Sequence, residues 1–164
     1  MNFIYSKISL GLIFIAIISC AFIFQNLPLD VFDNMLDLKY GYSRNDVENV
    51  FNILGLEGRQ IYVLSALILD TIFPILYVNF FIGIRYLLKL NRFSFVIVLI
   101  LIGVIDILEN IQIAIIMSAE SFNLVTNSQI YLSSITTIAK WSLIVLSIFI
   151  TSYQLLRSKF RKIN

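Results

Sequence analysis

The sequence predicts an all-α fold: a four-helix transmembrane bundle with a short amphipathic helix in the first outside loop. Three observations predict it. The chain is 59% hydrophobic and 13% charged over 164 residues, with a mean hydropathy of +0.91, where a soluble domain is roughly 45–50% apolar and about 25% charged. Four apolar segments each approach the length of about 20 residues that a helix needs to cross a hydrocarbon core of roughly 30 Å. Lys and Arg also collect on alternate connections, the pattern that orients a multi-pass chain.

The spans fall at about 8–24, 61–84, 93–117 and 130–155. No repeat, low-complexity run or domain linker interrupts them, so residues 1–164 read as a single integral membrane domain. Within the first span, Ile17-Ile18-Ser19-Cys20 resembles a lipidation signal. The apolar run nevertheless continues through Ala21-Phe22-Ile23-Phe24, where a lipid-anchored protein carries a polar tether, so a plain span is the better reading. Cys20 is then a small buried hydrophobe.

Orientation follows from the cations. Lys7, then Arg85, Lys89 and Arg92, then Arg157, Lys159, Arg161 and Lys162 all lie on one side of a four-span chain. The first loop opposes Asp30, Asp33, Asp37, Asp46, Glu48 and Glu57 to Lys39, Arg44 and Arg59, and the third loop carries only Glu120. Both termini are therefore expected in the cytoplasm, with the first and third loops outside a cell (cytoplasmic) membrane. The Ile-, Phe- and Asn-heavy composition suits a bacterial source.

The first loop contains the amphipathic helix, at about 44–54. Ser43 through Asp46 fits a capping box, in which each end of the motif satisfies the other's orphan amide. Val47, Val50, Phe51 and Leu54 follow at helical spacing, with Glu48, Asn49 and Asn52 opposite. Gly55 stands where a left-handed residue ends a helix. The helix is expected either to pack on the outer ends of spans two and three or to act as a lid.

The spans also contain ionisable residues, each costing roughly +2.5 to +3.5 kcal/mol at mid-span. At about 1.5 Å of rise per residue, Asp70 lies about 13 Å deep, Glu109 about 12 Å, Asp106 about 16 Å and Lys140 about 15 Å. Three helices thus deliver charge to one layer. Helical spacing sets Asp70 in a stripe with Tyr62, Ala66, Pro74 and Tyr77. Asp106 and Glu109 share one with Gly103, Asn110 and Ala114, and Lys140 lines up with Ser133, Thr136, Thr137, Ser147 and Thr151. Stripes this polar are expected to face the bundle interior.

The candidate buried polar site is therefore Asp70, Tyr77, Asp106, Glu109, Asn110, Thr137 and Lys140. Pro74 is expected to kink its helix and free the carbonyl of Asp70. Three carboxylates against one ammonium leave an excess of two negative charges, which burial does not tolerate. Lys140 is expected to pair with one carboxylate, while another stays protonated or meets a cation. Asp106 and Glu109, one turn apart, are the natural pair to share a proton. The cluster reads either as internal glue or as a ligand, proton or substrate site.

Composition excludes several functions. The chain has no histidine and one cysteine, so common zinc, haem, Ser-His, Cys-His and CxxC chemistries lack their groups. A net charge of +2 does not suit nucleic-acid binding. No catalytic residue, metal or cofactor is assigned.

Leu69-Asp70 with Phe73-Pro74 and Tyr77, Asp106 with Glu109-Asn110, and Thr137 with Lys140-Trp141, taken together with Tyr42-Ser43 and the stretch from Gly55 to Arg59, resemble uncharacterised small four-span bacterial integral membrane proteins. The resemblance implies the architecture and no activity. The function expected first is a non-enzymatic subunit or accessory protein. A proton or cation pathway built from an oligomer, or an intramembrane enzyme or binder of a lipid-like ligand, is the alternative. The partners are the lipid bilayer, further copies of the chain or a larger membrane complex, and, on the alternative reading, the lipid-like ligand.

Overall fold

Apolar runs of this length fold as helices because a helix satisfies its own backbone groups. The computed structural model describes residues 6–90 and 93–160, and among these it contains helices and no strand. Arg92, Arg161 and Lys162 of the basic clusters lie outside the described residues. The long helices are α1 (Lys7–Gln25), α2 (Arg44–Leu87), α3 (Phe93–Met117) and α4 (Asn127–Phe160). All four are long and apolar enough to cross a membrane. Apolar side chains such as Ile8, Ile15, Phe93 and Phe149 stand exposed on the outer surface, as hydrocarbon surroundings permit.

The capping box is present. Ser43 N–H donates to Asp46 Oδ2 at 2.8 Å, and Asp46 N–H donates to Ser43 Oγ at 3.3 Å. The helix that starts there is not an element of its own: it runs on as the first part of α2, with a break at Gly55. Gly55 has φ +57° and ψ −163°, a conformation essentially confined to glycine. Its φ is positive as expected, but ψ is extended rather than left-handed helical, so the chain bends and resumes the helix.

Arg59 holds the bend. Its Nε donates to the Gly55 carbonyl at 3.0 Å, and its guanidinium lies 3.6 Å from the Phe51 ring centroid. Its Nη1 reaches the carbonyls of Met117 and Ala119 at 2.9 and 2.6 Å. A cation thus closes the C-terminal end of α3, where the helix dipole is negative. Val47, Val50, Phe51 and Leu54 are buried in one core with Ile113, Ile116, Met117, Phe122 and Ile130. Within α2 the segment packs against the C-terminal end of α3 and the start of α4.

The covering role falls to residues 26–43. Leu29 and Asp30 take positive φ, and a 3₁₀ turn at Phe32–Asn34 folds the strap inward. Val31, Met35 and Leu36 are buried. The strap is tied to α4, where Tyr42 N–H donates to Ser134 Oγ at 2.9 Å and the Tyr40 and Ser142 hydroxyls meet at 2.8 Å.

The helices pack in sequence, α1 on α2, α2 on α3 and α3 on α4, while α1 and α4 barely touch. The bundle is therefore an incomplete ring with a gap. Phe14 stacks on Phe80, and Phe24 meets Phe73 edge-on, across the α1–α2 seam. At the far end, Arg85 departs from its expected place as a loop cation: it is 1% exposed. It donates to Thr151 Oγ1 at 2.9 Å, to Gln154 Oε1 at 2.9 Å and to the Leu90 carbonyl at 2.8 Å, under the ring of Phe95. Cys20 is a free thiol and half-buried rather than buried, because α1 packs mainly on α2 and leaves much of its surface open.

Nothing stands near a Cβ built on Gly55, so the cost of a side chain there is conformational. Gly55→Ala is expected to destabilise the protein by about 1–3 kcal/mol, measured by thermal melting in detergent. Gly58 is limited by space instead, since an added Cβ would stand 3.0 Å from Leu54 Cβ across the bend, so Gly58→Ala is also expected to destabilise the protein.

Candidate functional site

The helical periodicities that separate apolar from polar faces turn three polar stripes onto one another. Lys140 Nζ lies 2.6 Å from Glu109 Oε2 and 3.2 Å from Asp106 Oδ1, with both acids on α3. Thr137, one turn before Lys140, donates its hydroxyl to Glu109 Oε1. Tyr77 of α2 donates to Asp106 Oδ2 at 2.8 Å. Asp106 and Glu109 are thus joined through Lys140, which takes the place expected for a shared proton. Glu109 and Thr137 are 0% exposed, so this half of the cluster is sealed.

Pro74 lies within α2 and has no amide to offer Asp70. The freed Asp70 carbonyl accepts instead from Asn110 Nδ2 of α3. Gly103 admits the same α2 surface: a Cβ there would stand 3.0 Å from Val78 Cγ2. Proline and glycine together bring α2 and α3 close beside the acids.

Every residue expected at the site lies in this region, but the residues divide into two sets. Asp106, Glu109, Thr137, Tyr77 and Lys140 satisfy one another. The Asp70 carboxylate has no hydrogen-bond or ion-pair partner among the described residues, although Asp70 is only 7% exposed. It lines a cavity of about 380 Å³, a volume within the usual range for small-molecule sites. Phe24 of α1, Met35 of the strap, Phe73, Tyr77 and Phe81 of α2, and Trp141 and Ile144 of α4 form much of the wall. Asp37, Asp106 and Lys140 also reach it. The cavity occupies the gap between α1 and α4.

Asp37 was not expected here. It counts as a solvent-facing loop acid in the sequence, yet it is buried on the inner side of the strap. Its Oδ1 accepts from the Tyr62 hydroxyl at 2.8 Å, and that hydroxyl accepts from Leu36 N–H at 2.7 Å. Its carbonyl accepts from Trp141 Nε1 at 3.0 Å and from Lys140 Nζ at 3.5 Å. The available signal was the apolar context Met35-Leu36-Asp37-Leu38 inside an otherwise acidic loop. Tyr42 closes the network from the strap, its hydroxyl bonded to Ser133. Burial pushes its phenol up to about 12, so it remains neutral at physiological pH.

No family model matches the chain, and neither a curated protein nor a solved structure shows significant similarity to it.

Tyr62→Phe removes both the donor to Asp37 and the acceptor of a buried amide. Leaving such groups unsatisfied costs about 1–3 kcal/mol each. Hydrogen exchange is expected to accelerate at the Leu36 amide and across 31–37, with α3 unaffected.

Proposed function

We propose that the chain is a non-enzymatic integral membrane protein that holds a lipid-like molecule in the cavity between α1 and α4. One observation carries the reading: a largely apolar cavity, open in the ring of helices, contains a buried carboxylate, Asp70, with no partner among the described residues. Burying such a carboxylate is costly unless something pairs with it. A molecule from the bilayer supplies the apolar body that the walls fit and a polar end for Asp70. The set around Lys140 favours binding over chemistry, because its acids, ammonium and hydroxyls are engaged with one another.

We place the protein in a bacterial cytoplasmic membrane with both termini in the cytoplasm. The cations flanking the second loop and the C-terminal tail support this side, and the acidic strap then faces outward. In this setting the protein serves as an accessory or subunit that presents or retains its ligand.

Native mass spectrometry of the protein released from mild detergent tests the proposal. One discrete small mass per chain is expected, and it is expected to be lost in Ala21→Phe, which fills the cavity from α1. A bare chain, or retention of the same mass by the filled variant, contradicts binding at this site. For the orientation, a green fluorescent protein fused to the C-terminus is expected to fluoresce, while a C-terminal alkaline phosphatase stays inactive.

A further inference from the structure

The cavity's charge identifies the polar end of its occupant. Four carboxylates (Asp37, Asp70, Asp106 and Glu109) surround one ammonium, Lys140, and four minus one leaves three negative charges in excess when all are ionised. An ammonium has three donors. Those of Lys140 point to Glu109 Oε2 at 2.6 Å, Asp106 Oδ1 at 3.2 Å and the Asp37 carbonyl at 3.5 Å. None is left for Asp70. Asp37 has the Tyr62 hydroxyl, whereas Asp70 has no partner among the described residues. Among those residues, no three His, Cys, Asp or Glu side chains converge as a metal site.

We propose that the cavity takes an organic cation, a protonated amine carrying a single apolar tail, with its N–H groups on the Asp70 carboxylate. The proposal rests on the binding role argued above and deepens it by naming the head group. Phe73, Tyr77 and Trp141 line the same cavity as Asp70, and aromatic faces favour a cation where water is excluded. The tail has a path. Tyr77, Phe81 and Ile144 also line a second cavity of about 120 Å³, whose walls include Leu99, Ile102 and Ile148. The second cavity adjoins the first on the side away from the strap and also reaches Arg85, Ser147 and Thr151, so a tail longer than the first cavity extends toward mostly apolar walls.

Trp141 is the only tryptophan of the chain and lines the cavity, so its fluorescence reports occupancy. The full chain in zwitterionic lipid nanodiscs is titrated with dodecylamine, dodecanol and dodecanoate, three probes with one tail length. Dodecylamine is expected to give a saturable change at concentrations at least about tenfold below dodecanol, the scale of a charge-assisted hydrogen bond. Dodecanoate is expected to give none. Asp70→Asn is expected to remove the amine's advantage and Asp70→Glu to keep most of it, with melting temperatures confirming that both variants fold.

Equal affinity for amine and alcohol overturns the cationic head group and leaves the binding role standing, as does an Asp70→Asn variant that binds the amine normally. A chain that answers none of the three probes saturably, or an Ala21→Phe variant that responds like the parent, overturns the binding role itself.

Discussion

A single ammonium inside an apolar bundle organises this protein. Lys140 draws two acids of α3 onto α4 and reaches the backbone of the strap through the Asp37 carbonyl. Buried ion pairs gain little net stability, since desolvation offsets the attraction. The effect of removing one partner is far larger than the net worth of the pair. The Lys140 layer is therefore best understood as setting register: α3 and α4 pair in the alignment that places Glu109 and Asp106 against one ammonium. Tyr77 extends that alignment to α2, and Thr137 secures the second oxygen of Glu109.

Two arginines do comparable work at the ends. Arg59 joins the Gly55 bend to the C-terminal end of α3, and Arg85 joins α2 to α4 at the other end. Between these clamps α2, α3 and α4 are fixed, whereas α1 packs mainly on α2 and, through Phe24, on the strap. The cavity is a consequence of that asymmetry. Its floor is the polar layer, its roof is the strap, and its open side is the gap that α1 and α4 leave. Asp70, the acid left over from the Lys140 network, faces this space together with Asp37 and Asp106.

Much of this was legible in the sequence because helical spacing is a local rule. The third span runs from Phe93 to Met117 in the sequence reading and in the structure alike. The stripes through Asp70, Asp106 and Lys140 met because each is too polar to face outward. Pro74 told which carbonyl would be free, and Asn110, on the opposing stripe, took it. The strap was not legible. Its fold depends on positive φ at Leu29 and Asp30 and on apolar contacts with distant residues, so Asp37 looked like an exterior charge. Arg59 and Arg85 were misplaced for a related reason: charge counting assigns a side to a cation and says nothing about the carbonyls it reaches. The division of the cluster into a closed set and one open acid required the third dimension, as did the gap between α1 and α4.

The most direct test of the central role of Lys140 is a double-mutant cycle between Lys140→Met and Glu109→Gln, read as unfolding free energy in detergent. Lys140→Met alone strands two buried carboxylates and is predicted to cost about 3–5 kcal/mol. Adding Glu109→Gln is predicted to recover part of that loss, giving a coupling energy above about 1 kcal/mol. Strictly additive losses would contradict the account, for they would mean that Lys140 and Glu109 stabilise the bundle independently of one another.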